Sequence, residues 1–147
     1  MCSFFVFFSG VPHATFWVPP IAIMLMNLRR CVVLAVDDET IILLGTAALL
    51  ESLGYKVVRA NSGRAALEAL ADRPEIGALL TDLQMPSMSG AELATTAQNL
   101  RPDLPVIIAT GHSILPESQG RPWVSLPKPF TRADLARAME MALSGDQ

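Results

Sequence analysis

A chain of 147 residues fits one domain around a single core, and a formal net charge of -3 without any run of basic residues argues against a nucleic-acid partner. The two cysteines, Cys2 and Cys31, have neither zinc spacing nor the density of a disulfide scaffold, so they read as reduced, inert thiols of a cytoplasmic protein. All 25 charged residues lie in the last 119 positions, an ordinary globular density, whereas residues 1–28 have none and hold six of the nine aromatics.

That shift at Arg29 marks a boundary, with an apolar extension over residues 1–28 and the folded domain over 29–147. The run Phe4-Phe5-Val6-Phe7-Phe8 is broken by Gly10, Pro12, Pro19 and Pro20 before it reaches the roughly 18 residues that span a bilayer. No basic segment precedes it, as a secretory signal would require. The favoured reading is that natural translation begins at Met24 or Met26, the alternative being a weak membrane-associating anchor without stable insertion.

From Cys31 the pattern alternates. Cys31 to Val36 is a continuous apolar run suited to a strand buried on both faces, and it ends in Asp37-Asp38-Glu39. Apolar residues at helical spacing (Ile42, Leu43, Thr46, Leu49, Leu50, Leu53) predict a helix over 40–53, stopped by Gly54. A short strand, 56–60, is followed by a helix over 63–71 that Asn61-Ser62 can cap. The third strand, 76–81, delivers Asp82. Ser89 and Glu92 have capping-box spacing for a helix over 90–100. The fourth strand, 106–109, ends in Thr110-Gly111-His112. Pro116 and Gly120 allow at most a short, imperfect helix before the fifth strand, 123–126. Pro127-Lys128-Pro129-Phe130 follows, and Thr131 and Asp134 cap a last helix bearing Leu135, Met139 and Leu143. Five strands alternating with about five helices predict a doubly wound α/β sheet in three layers, α/β/α.

In such a sheet the strands' C-terminal ends share one edge, where ligands collect. Asp37, Asp38, Asp82, Thr110 and Lys128 all fall there. Carboxylates packed together repel, which favours protonation or a bound divalent cation, and an oxygen-only donor set suits Mg²⁺. With a lysine and a hydroxyl added, the site can hold a transferring phosphoryl group, Asp82 being the attacking carboxylate.

Asp37-Asp38 after the first strand, Asp82, Met85-Pro86 and Gly90 behind it, Ala109-Thr110-Gly111 and Lys128-Pro129-Phe130 together resemble the receiver domain of two-component response regulators over about 29–144. The resemblance implies a flavodoxin-like fold with strand order 2-1-3-4-5. It implies a single-domain phosphoacceptor, not an enzyme in the usual sense, that takes a phosphoryl group onto Asp82 from a histidine kinase or phosphotransferase. It also implies Mg²⁺ held by Asp38, Asp82 and the backbone carbonyl of Gln84, with Asp37 helping through water. Thr110 and Lys128 would contact the phosphoryl oxygens, and a cis Lys128–Pro129 bond would aim the ammonium. Gln84 and His112 would flank the water that hydrolyses the acyl phosphate. The switch would join Thr110 to position 125, where this chain has Ser125 instead of the usual aromatic residue or histidine. The segment from Thr110 to Lys128 is also shorter than usual, so both departures fall on the signalling surface. With no further domain after Gln147, output would pass through a protein partner, the chain acting as a monomer or weak dimer.

Two other functions compete. An aspartyl-phosphate hydrolase usually has a second Asp two residues after the nucleophile, where Gln84 stands. A degenerate receiver or FMN-type module would use the fold for interaction alone and would tolerate loss of the acidic pair or the lysine. Read singly, Asp37 and Asp38 are solvated helix-start residues, Lys128 a surface lysine, His112 a loop histidine and Trp123 a packing residue; the combination argues for the site.

Overall fold

Five apolar runs pair in parallel in the order β2-β1-β3-β4-β5, which in this computed structural model of residues 19–23 and 31–145 places every strand's C-terminal end on one edge. The expectations for residues 1–18 and for a start at Met24 or Met26 lie outside the described residues. Beyond a single helical turn at 20–23, the elements are β1 (Val32–Val36), α1 (Thr40–Ser52), β2 (Lys56–Ala60), α2 (Gly63–Asp72), β3 (Ile76–Asp82), α3 (Gly90–Leu100), β4 (Val106–Thr110), β5 (Val124–Pro127) and α4 (Arg132–Ser144). This is the flavodoxin-like, doubly wound arrangement.

The central strands, apolar up to their polar C-terminal residues, bury both faces, and period-two alternation sorts their side chains into two cores. Val33, Ala35, Leu80, Ile107 and Leu126 face α1 and α4, meeting Leu43, Leu50, Leu135 and Met139. Leu34, Val36, Leu79, Val106 and Ile108 face α2 and α3, meeting Ala66, Leu70, Leu93 and Ala97. Helix boundaries follow the predicted chemistry. Ser62 caps α2, and Ser89/Glu92 and Thr131/Asp134 form reciprocal capping boxes on α3 and α4. Gly54, with φ 97°, takes the left-handed turn that ends α1.

The structure also decides the stretch where the sequence allowed at most a short helix. No helix forms between β4 and β5: Pro116 and Pro122 cannot donate to a helical ladder, and side-chain bonds hold this stretch instead. Among the described residues, four helices of ten residues or more flank the sheet. Ile42, one of the apolar residues at helical spacing, is 37% exposed, because the buried stripe of α1 runs through Leu43, Ala47 and Leu50.

Candidate functional site

The register of the sheet assembles the polar edge. Val36 of β1 lies opposite Thr81 of β3, so the next residues, Asp37 and Asp82, are neighbours; Asp82 in turn lies opposite Ala109 of β4. Backbone bonds continue this order past the strands. The Asp37 N–H donates to the Ala60 carbonyl (3.3 Å), Leu83 N–H to Ala109 (3.0 Å) and Lys128 N–H to Thr110 (2.7 Å). The loop after Asp82 turns back so tightly that the Gly90 N–H donates to the Leu83 carbonyl at 2.8 Å. A Cβ on Gly90 would lie 2.1 Å from the Asp82 carbonyl oxygen, which explains the glycine at the start of α3. Within that loop Ser87 adopts φ 68°, a left-handed conformation uncommon outside glycine.

Three carboxylates and one lysine meet at this edge. One carboxylate oxygen from each of Asp37, Asp38 and Asp82 lies within 4.8 Å of the others. Lys128 Nζ donates to Asp82 Oδ1 at 2.7 Å and stands 3.9 Å from Asp37 Oδ2. Asp37 is nearly buried, Asp82 partly so, and Asp38 faces solvent. Burial pushes the Asp37 carboxyl up, the Glu39 N–H bond (2.9 Å) and Lys128 hold it down, and the charges of Asp82 and Asp38 push it up again. One ammonium among three carboxylates leaves an excess of negative charge. The chemistry of this all-oxygen, partly open donor set fits a hard divalent cation such as Mg²⁺. Apolar side chains of Leu43, Leu80, Ala109 and Phe130 line the same recess as Asp37, Asp82 and Lys128.

The remaining predicted residues lie around this centre. Thr110 is buried at the end of β4, but its hydroxyl donates to the Ser113 carbonyl at 3.2 Å and not to a carboxylate. Gln84 and His112 are exposed on the two adjoining loops. Ser125 is exposed on β5, opposite Ile108. The Lys128–Pro129 peptide bond is cis, as expected. Sequence reading did not anticipate the Glu39 N–H that orients Asp37 or the Ser113 carbonyl that holds Thr110. Both act through the backbone, where residue identity gives no signal.

Residues 33–140 match the response regulator receiver domain. The chain is 37% identical over 116 residues to the response regulator receiver protein CpdR of Brucella abortus, covering 76% of this chain and 95% of that protein. It is 35% identical over 122 residues to the transcriptional regulatory protein GlrR of Escherichia coli, covering 80% of this chain but only 27% of GlrR. Among solved structures, a response regulator receiver domain protein from Clostridium thermocellum superposes with a TM-score of 0.72 at 32% identity, covering 78% of this chain and 94% of that one. Sheet order, acidic edge and sequence similarity agree, and the chain belongs to the response regulator receiver domain family.

Proposed function

We propose that this receiver domain takes a phosphoryl group onto Asp82 from a phosphohistidine of a sensor histidine kinase or histidine phosphotransferase and signals by protein–protein contact. The observation that carries this reading is the meeting of Asp37, Asp38 and Asp82 within 4.8 Å, with Lys128 at 2.7 Å from Asp82. An Asp82 carboxylate oxygen attacks phosphorus; the O–P bond forms as the P–N bond breaks, and the departing imidazole nitrogen keeps the electron pair and is reprotonated. Lys128 leaves its carboxylate partner to meet a phosphoryl oxygen, and Thr110 turns its hydroxyl to another. Asp38, Asp82 and the Gln84 carbonyl would hold Mg²⁺, with Asp37 acting through water, and the cation would neutralise charge between the acidic pair and the incoming phosphate.

Gln84 and His112 flank the approach of hydrolytic water and set the lifetime of the acyl phosphate. The only reactions are then self-catalysed phosphotransfer and slow dephosphorylation, carried out in the cytoplasm. Among the described residues no helix is long and apolar enough to cross a membrane. A hydrolase is disfavoured by Gln84 in place of a second acid, and an FMN-type module, which would tolerate loss of the acidic pair or Lys128, by the presence of both. The deciding experiment incubates purified protein with phosphoramidate and follows its intact mass. One phosphoryl group should appear only with Mg²⁺, and none in Asp82→Asn; labelling that survives chelation or that substitution overturns the assignment.

A further inference from the structure

The stretch between β4 and β5 is fastened differently at its two ends. At its start, Thr110 Oγ1 donates to the Ser113 carbonyl at 3.2 Å. At its end stands Gln98, a buried residue of α3. Its Nε2 donates to the carbonyls of Leu104 (3.2 Å) and Arg121 (3.0 Å), and its Oε1 accepts from Trp123 Nε1 at 3.0 Å. The Arg121 guanidinium adds bonds to the carbonyls of Asp103 (2.9 Å) and Ala142 (2.7 Å), tying the same point to α4. Between the two fastenings Ile114 is 95% exposed.

A hydroxyl has one hydrogen to donate. When Thr110 gives it to a phosphoryl oxygen, as the phosphoacceptor reading on which this inference rests requires, the Ser113 carbonyl loses that donor and the first fastening opens. The second has no group in common with the phosphoryl site. Breaking it would strand a buried amide without partners, which is costly. We propose that Gln98 is a positioning residue that divides the segment into a movable half, residues 111–120, and a fixed half, residues 121–123, continuous with β5. A rearrangement begun at Thr110 then stops before Ser125, and its readout is the surface around Ile114, next to Leu115, which packs partly buried against the core on the α2 and α3 side. Gln98 takes the place of a packed helix in deciding how far the signal travels.

The test uses the ¹⁵N-labelled full chain with Mg²⁺ and beryllofluoride, whose fluorine resonance reports occupancy at Asp82. Amide order parameters over 112–118 should fall below about 0.6 on binding, while the Trp123 indole and Ser125 amide resonances stay in place. In Gln98→Leu the same probe should shift both of those resonances. Trp123→Phe, which deletes only the indole donor, should likewise let the Ser125 amide respond, and it guards against a leucine variant that fails to fold. Thr110→Val should loosen 112–118 without any probe. Ser125 and Trp123 signals that move in the unaltered chain, or variants that respond as it does, would overturn the proposal. Bound beryllofluoride with 112–118 unchanged overturns this inference alone; absence of binding at Asp82 overturns the phosphoacceptor reading with it.

Discussion

Lys128 holds Asp82 at 2.7 Å and is, among the described residues, the one cation of the acidic cluster, so its removal should separate two effects that a general loss of structure would not. Without it three carboxylates attract a divalent cation unopposed, and Mg²⁺ affinity measured by calorimetry should rise on the order of tenfold in Lys128→Met. Phosphoryl uptake by the same variant should fall, because a phosphoryl oxygen loses its partner. Replacing Gln84 and His112 together should change the decay of the phosphorylated form while leaving Mg²⁺ affinity unchanged, as followed by intact mass over time. Unchanged decay would remove both residues from the water path. Gly90→Ala places a methyl carbon 2.1 Å from the Asp82 carbonyl, and backbone cannot yield cheaply. Its expected result is a displaced Asp82, with uptake slowed about 100-fold if the shift reaches an ångström.

At the level of single elements, the helix ends carry testable chemistry. Thr131 caps α4 through the Asp134 N–H, and Thr131→Ala should cost about 1 kcal/mol in urea unfolding. Asp134 returns bonds to the Thr131 N–H and hydroxyl and pairs with Arg137, which together hold its carboxyl below the ordinary value. A lowered value in the folded state means that this contribution is fully present above the usual carboxylate range and is lost as the pH falls through the lowered one. The urea midpoints of the unaltered chain and Asp134→Ala should therefore differ at neutral pH and begin to converge only as the pH falls below about 4, toward the lowered value. Arg101, just past α3, donates to the carbonyls of Ile76 and Leu70 (2.6 Å each) and Arg73 (2.8 Å), joining the end of α2 to the start of β3. Arg101→Ala leaves these carbonyls without that donor, and a loss of about 2 kcal/mol is expected with phosphoryl uptake intact.

At the scale of the whole molecule, both cores are built, among the described residues, from side chains between Cys31 and Leu143, and removing residues 1–27 is expected to leave the melting temperature and phosphoryl uptake unchanged. A large fall in either would give the extension a part in the fold. Most of this architecture was legible in the chain itself. Short apolar runs rich in β-branched residues, such as Val32–Val36 and Val106–Thr110, read as buried strands, capping boxes fix where α3 and α4 begin, and strands alternating with helices point to a parallel sheet. The order of polar residues after those strands was legible too, which is why Asp37, Asp38, Asp82 and Lys128 could be named together. The sequence could not say where the Thr110 hydroxyl points, that Gln98 reaches across to Arg121 and Trp123, or that no helix fills the stretch between β4 and β5. Strands and caps depend on neighbours within a few residues and are written locally. A buried amide choosing partners more than 20 positions away, or a hydroxyl choosing between two acceptors, depends on which elements the sheet has already brought together, and only the tertiary structure decides that.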